Sequence, residues 1–279
     1  MAAVAESEVF HPCYYEEAHK KYARMHLPVA RACNIQCRFC NRLFDCANET
    51  RPGVTSRMLS PEEAVAKVGE VRREVPNLHV IGIAGPGEPL ANKETFETLK
   101  LLKSQYPNLT LCLATNGLLL PSCADELSAV GVGYVTVTIN ALDPEVGGQV
   151  YSWVQDDGGI HRGREAFEFL STRQWEGLKM CVERDMVVKV NSVFIPGVND
   201  AELPLIAKKA REEGAFVMNV IPFLPVKGSE FEGRRAPSGL ETQQVREECK
   251  RHMRQIGHCA RCRADAIGLL GCDISRRFY

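Results

Sequence analysis

The sequence predicts an α/β protein built as a partial (β/α)6 barrel of the TIM type, on three observations. Six short runs are rich in Val, Ile and Thr, longer helical patterns separate them, and residues suited to holding metal follow the first runs. The runs are HLPVA (26–30), HVIGIAG (79–85), TLCLAT (110–115), YVTVTIN (134–140), VVKVNSVFI (187–195) and FVMNVIPF (216–223), each bounded by Gly, Pro or Asn. Strands alternating with helices imply right-handed βαβ units and a parallel sheet. Six units fall short of the eight that close a barrel; a doubly wound open sheet fits the same pattern. In either topology reactive groups belong at the carboxyl ends of the strands.

The helices carry readable starts. Ser60-Pro61-Glu62-Glu63 combines an N-cap serine, proline at the first helical position and a capping-box glutamate, followed by an apolar stripe of Ala64, Val65, Val68 and Val71. Asn92 is expected to open a second helix carrying Phe96, Leu99 and Leu102, and Asp200 another carrying Leu203, Ile206 and Ala210. After residue 224 a polar, glycine-rich loop leads into a final helix and then a cysteine-bearing tail, CARCRADAIGLLGC (259–272).

Composition narrows the function. The 279 residues carry 34 Lys+Arg against 35 Asp+Glu, so no global field points to nucleic acid or an anionic membrane. No apolar run has spanning length and no export signal opens the chain, so a cytoplasmic protein is expected, and near-neutral charge without a coiled-coil repeat favours a monomer. Twelve cysteines are the outlier. In a reducing compartment clustered cysteines ligate metal more often than they pair. Cys123, Cys181 and Cys249 lie in helix-like segments and read as small buried apolar groups.

Cys33, Cys37 and Cys40 form C-x3-C-x2-C directly after the first strand. A four-iron cubane takes one ligand per iron, and ferredoxins supply four cysteines. Three leave one iron open to chelate the amino and carboxylate groups of S-adenosylmethionine. The competing readings are zinc, which favours four tetrahedral ligands in paired spacings, and an unrelated cysteine cluster. With Phe39 inside the loop, the segment resembles the signature of the radical S-adenosylmethionine superfamily.

That resemblance gives later strand ends a meaning. AGPGEPL (84–90) is similar to the superfamily's glycine-glutamate-proline motif, in which Gly85, Gly87 and Glu88 would bind the methionine ammonium; taken alone it reads as an ordinary strand–helix turn. Thr115 and Asn116, Asn191 and Ser192, and Ile221 would by resemblance meet the carboxylate, the ribose and the adenine respectively.

Further ligand types lie outside this core. Cys13 sits in HPCYYEEAH, His26 begins the first strand run, Cys46 follows Cys40, Cys112 lies in the third strand, and Cys259 and Cys262 form an isolated C-x2-C. The stretch from HPCYYEEAH to NETRPGVTS, AGPGEPL, and CARCRADAIGLLG together resemble the NifB family of nitrogenase cofactor maturation proteins, in a short form without the family's added NifX-like domain. The resemblance implies two further 4Fe–4S clusters, bound as substrate and fused. Carried over by position, Cys13, His26 and Cys46 would hold one, and Cys112, Cys259 and Cys262 the other, with Cys272 as a spare. Glu49, followed by Arg51, would touch or bridge a cluster; the alternative is a solvated loop acid.

Three segments follow: an N-terminal extension (1–25), a radical S-adenosylmethionine core (26–224) and a C-terminal extension (225–279). The implied activity is carbide insertion from S-adenosylmethionine into an 8Fe–9S–C precursor. The implied partners are cluster-delivery proteins, an electron donor and a downstream cofactor scaffold or carrier. Two alternatives stay open: a radical enzyme of the molybdopterin-precursor or peptide-modifying type, and a non-enzymatic iron–sulfur carrier.

Overall fold

The computed structural model describes residues 11–53, 55 and 57–279. Residues 1–10 of the N-terminal extension, and Val54 and Ser56 of the NETRPGVTS motif, lie outside them. In chain order the elements are β1 (Ala23–His26), β2 (Ile35–Cys37), α1 (Pro61–Glu74), β3 (Leu78–Ile83), α2 (Lys93–Gln105), β4 (Thr110–Thr115), α3 (Leu120–Ala129) and β5 (Val132–Thr138). There follow α4 (Pro144–Val150), β6 (Tyr151–Asp156), β7 (Gly159–His161), α5 (Gly163–Glu183), β8 (Val187–Phe194), α6 (Glu202–Glu212), β9 (Val217–Pro222), α7 (Gly239–Lys250), β10 (Ile267–Leu269) and β11 (Cys272–Asp273).

The main sheet runs β11-β10-β1-β3-β4-β5-β8-β9. Five of its six parallel strands match runs read from sequence, the sixth, β1, meeting its run only at His26, and with their helices they make a partial α/β barrel. One strand face packs outward on the helices: Val188 and Val190 of β8 are buried in one core with Leu178 of α5 and Leu203 and Ile206 of α6. Each such side chain contributes about 1.5–3 kcal/mol on burial. The alternate residues Lys189 and Asn191 line the barrel interior, the period-2 consequence of strand geometry.

Capping is visible in α1. Ser60 accepts from the Glu63 N–H while Glu63 reaches back to the Ser60 N–H, the reciprocal pair its sequence predicts. Cys181 and Cys249 are buried in the apolar core and Cys123 packs against it.

Two expectations need correction. The first strand is Ala23–His26, not 26–30: the Leu27 N–H still reaches the Gly82 carbonyl, but Pro28 has no N–H to continue the ladder. Arg24 interrupts the apolar pattern there and hid the true strand. Asp200 does not open α6; it accepts from the Gly197 N–H in the preceding turn, and Ala201 takes the N-cap place. Asn92 does open α2, at the N-cap, with its side chain turned to the Arg31 and Ala32 N–H groups. The terminal tail joins the main sheet: β10 pairs antiparallel with β1 and β11 with β10, covering the sheet edge. A small sheet of β2, β6 and β7 was not read from sequence at all. No helix among the described residues is long and apolar enough to cross a membrane.

Candidate active site

The carboxyl ends of the parallel strands open onto two adjoining cavities. The smaller is lined by Cys33, Cys37, Cys40, Cys46, Arg42, Asn48, Glu49, Gly87, Glu88, Asn116 and Thr138 among others. The larger holds His11, Cys13, His26, Glu49, Cys112, Lys189, Asn191, Ile221, Cys259, Arg261 and Cys262 in its wall. Glu49 belongs to both.

The three-cysteine loop is held from several sides. Residues 35–37 pair as β2 with β6. Gln36 Nε2 donates to the Cys37 and Cys40 carbonyls at 2.9 and 2.8 Å, fixing the turn that carries both thiols. The loop's aromatic, Phe39, is buried edge-on against Phe223. Asn92 Oδ1 accepts from the Arg31 and Ala32 N–H groups, and the Gly87 and Glu88 N–H groups donate to the Ala30 and Ala32 carbonyls at 2.6 and 2.8 Å. A Cβ on Gly87 would stand 2.2 Å from the Ala32 oxygen, so only glycine lets the motif lie against this loop.

Burial pushes the Cys33 thiol up to about 11 and raises Cys37, Cys40 and Cys46 as well; the charge of Cys40 as a thiolate adds to the shifts of Cys37 and Cys46. Asn48 Nδ2 donates to Cys37 Sγ at 3.4 Å, and Arg42 is the nearby cation. Thiols enclosed this way become thiolates only beside added positive charge, which bound iron supplies. Among the described residues no group of three or more His, Cys, Asp or Glu side chains is spaced for a single metal ion; the thiols border open space instead. Three thiols on one cavity wall are a donor set that suits a 4Fe–4S cluster with one iron left open.

Glu88 is buried, its carboxylate accepting from the Leu90 N–H at 3.0 Å, Thr115 Oγ1 at 2.5 Å and the Asn116 N–H at 2.7 Å. Burial raises its pKa to about 7 despite those bonds. Thr115 thus acts on the site through Glu88. Asn116 lines the smaller cavity and donates to Asn34 Oδ1 at 2.7 Å. Gly85 lies behind the wall, its carbonyl accepting from the Ala30 N–H. Asn191 and Ile221 line the larger cavity, whereas Ser192 is turned away, its hydroxyl donating to the Ile139 carbonyl.

The larger cavity follows from strand register. His26 of β1, Gly82 of β3 and Cys112 of β4 stand abreast on neighbouring strands. A Cβ on Gly82 would lie 2.8 Å from Cys112 Sγ and 3.2 Å from His26 Cδ2, so the missing side chain makes room for both. Two levels up, Thr138, Asn191 and Asn219 are abreast. Thr138 Oγ1 and Asn191 Nδ2 donate to the Glu49 carboxylate, and Asn219 Nδ2 donates to Asn191 Oδ1 at 3.2 Å. Burial lifts Glu49 to about 7. His26 Nδ1 lies 3.0 Å from the Arg263 carbonyl, an obligate acceptor, so Nδ1 carries the proton and Nε2 keeps a free lone pair. Burial beside Arg24 lowers its pKa to about 4, leaving it neutral.

Cys13, His26, Cys112, Cys259 and Cys262 are therefore brought together, while Cys46 stands in the wall of the smaller cavity; the sets carried over by position are not separate in space. Cys272 is exposed on the edge strand β11. Arg51 has an exposed side chain, and its N–H donates to the Cys262 carbonyl at 2.9 Å, tying the two loops together. Sequence reasoning missed Arg24, whose buried guanidinium donates to Cys262 Sγ at 2.9 Å, together with Lys189, Asn48 and Gly82. Glycine inside a strand was the available signal for Gly82.

Residues 27–210 match the family model of the Radical SAM superfamily, and the chain belongs to that superfamily. The methylornithine synthase PylB has the same fold, with a TM-score of 0.57 at 16% identity over 85% of this chain and 65% of that one. The sequence is 50% identical to the FeMo cofactor biosynthesis protein NifB of Klebsiella pneumoniae over 99% of this chain and 60% of that protein. It is 48% identical to NifB of Azotobacter vinelandii over 96% of this chain and 54% of that protein. The chain thus spans little more than half the length of these relatives.

Proposed function

We propose that this protein is a radical S-adenosylmethionine enzyme of nitrogenase cofactor biosynthesis, fusing two 4Fe–4S clusters around a carbide derived from S-adenosylmethionine. One observation carries the reading: two adjoining cavities share Glu49 as a wall, one with the three-cysteine loop and the other with four thiols and a ligand-competent imidazole. The near-complete coverage of this chain by NifB relatives supports it.

Cys33, Cys37 and Cys40 would hold the resident 4Fe–4S cluster, which supplies the electron that breaks a C–S bond of S-adenosylmethionine. The amino acid's ammonium would sit against Gly87 and Glu88, whose ionised form offers it a buried counter-charge. Cys13, His26, Cys46, Cys112, Cys259 and Cys262 would hold the clusters that are substrate. A neutral imidazole releases a product more readily than a thiolate does. Glu49, bonded by Thr138 and Asn191, would keep the wall between the cavities polar and in place. The methyl-transfer and lyase assignments belong to this proposal, as do the electron donor, the cluster-delivery proteins and the downstream scaffold or carrier.

The test is anaerobic reconstitution followed by iron analysis and turnover with a reductant. About twelve irons, at four per cluster, with both 5′-deoxyadenosine and S-adenosylhomocysteine as products are expected. Cleavage with only four irons would point to another radical enzyme, iron without cleavage to a carrier, and absent S-adenosylhomocysteine would reject the methyl-transfer half.

A further inference from the structure

His11 stands outside every ligand set above, yet it lines the larger cavity and is 1% exposed. A turn holds it in place: the Cys13 N–H donates to His11 Nδ1 at 3.2 Å, and the Tyr14 and Tyr15 N–H groups both donate to its carbonyl at 3.1 Å. The ring packs against Tyr14 and Tyr134, with centroids 4.5 and 4.6 Å away.

That turn settles the tautomer. A ring nitrogen accepting a backbone N–H carries no proton, so the proton of the neutral ring is on Nε2. Nε2–H is a buried donor with no partner among the described residues. An unmade buried donor is destabilising, and native chains keep few of them. The two cavity histidines are therefore opposites. His26 spends its N–H on the Arg263 carbonyl and presents a lone pair, whereas His11 spends its lone pair on the backbone and presents an N–H. His11 in this form is no ligand. It needs an acceptor, and the cavity it lines with Cys13, Cys112, Cys259 and Cys262 is one where sulfur is to be found.

We propose that His11 Nε2–H donates a hydrogen bond to a sulfur of the iron–sulfur cluster bound in the larger cavity, orienting that cluster without ligating it. The inference rests on the functional reading above. Donors to cluster sulfur stabilise the reduced, more negative state and so raise its potential.

The experiment uses the full chain, reconstituted anaerobically, as wild type, His11→Phe and His11→Gln; glutamine keeps an N–H at comparable reach. Redox titration followed by electron paramagnetic resonance should show the cavity cluster shifted to more negative potential in His11→Phe and moved back by His11→Gln. Iron content should be equal and the three-cysteine cluster unmoved. An unshifted potential at equal iron content overturns the proposal. If His11→Phe loses iron or fails to fold, wild type labelled with 15N-histidine decides. A weak nitrogen coupling beside the stronger one from a directly bound imidazole is expected, and its absence overturns the proposal. Wild type that binds only about four irons overturns both this inference and the functional reading.

Discussion

Gly87→Ala tests how the strand-end motif and the cysteine loop depend on each other. The added Cβ would meet the Ala32 oxygen at 2.2 Å, the Arg31 oxygen at 2.5 Å and the Arg31 carbonyl carbon at 2.8 Å. All three are backbone atoms, so no side chain can swing aside, and the segment leading into Cys33 must move. Moving it lengthens the bonds from the Gly87 and Glu88 N–H groups to the Ala30 and Ala32 carbonyls. Overpacking costs about 1–3 kcal/mol, and two backbone bonds about 1 kcal/mol each. A loss of about 3–5 kcal/mol is expected, a large share of the roughly 5–15 kcal/mol that holds a domain together. Urea unfolding of the cluster-free chain measures it, and iron content after reconstitution reports the cysteine geometry. Wild-type midpoint and iron content in Gly87→Ala would refute the reasoning.

Gly82→Ala should act elsewhere, pushing on Cys112 Sγ and His26; iron in excess of the three-cysteine cluster should fall while that cluster's own signal persists, and an unchanged total would count against the register argument. Ser60→Ala removes the cap of α1 and should cost about 1 kcal/mol, read as a lowered urea midpoint with unchanged iron binding. Glu49 makes stability depend on pH. Burial raises its pKa from 4.5 to about 7, so between those values the folded chain holds more protons than the unfolded one and stability falls as pH rises. At about 1.4 kcal/mol per pH unit, the cluster-free wild type should lose about 3 kcal/mol relative to Glu49→Gln between pH 4.5 and 8. Taking the difference cancels His26, whose lowered pKa makes stability rise with pH below 6.5. A difference independent of pH would disprove burial of the charge.

Local sequence determined much of this protein, because its signals act over a few residues. Strand runs, the Ser60 capping box and the three cysteines inside eight residues of chain are each set by neighbours along the backbone, and all were legible. The NETRPG and CRADA segments were legible only as a resemblance. Tertiary structure decided what depends on register and distance. Gly82 matters because β1 and β4 place His26 and Cys112 on either side of it. Arg24, a poor strand residue by pattern, is buried against Cys262, which lies 238 positions away in sequence. Cys46 joins the three-cysteine cavity, and Cys13 joins Cys112 and Cys259, because loops from both ends of the chain fold over one barrel mouth. The opposite tautomers of His11 and His26 come from which backbone group each ring meets, information that spacing along a chain does not contain.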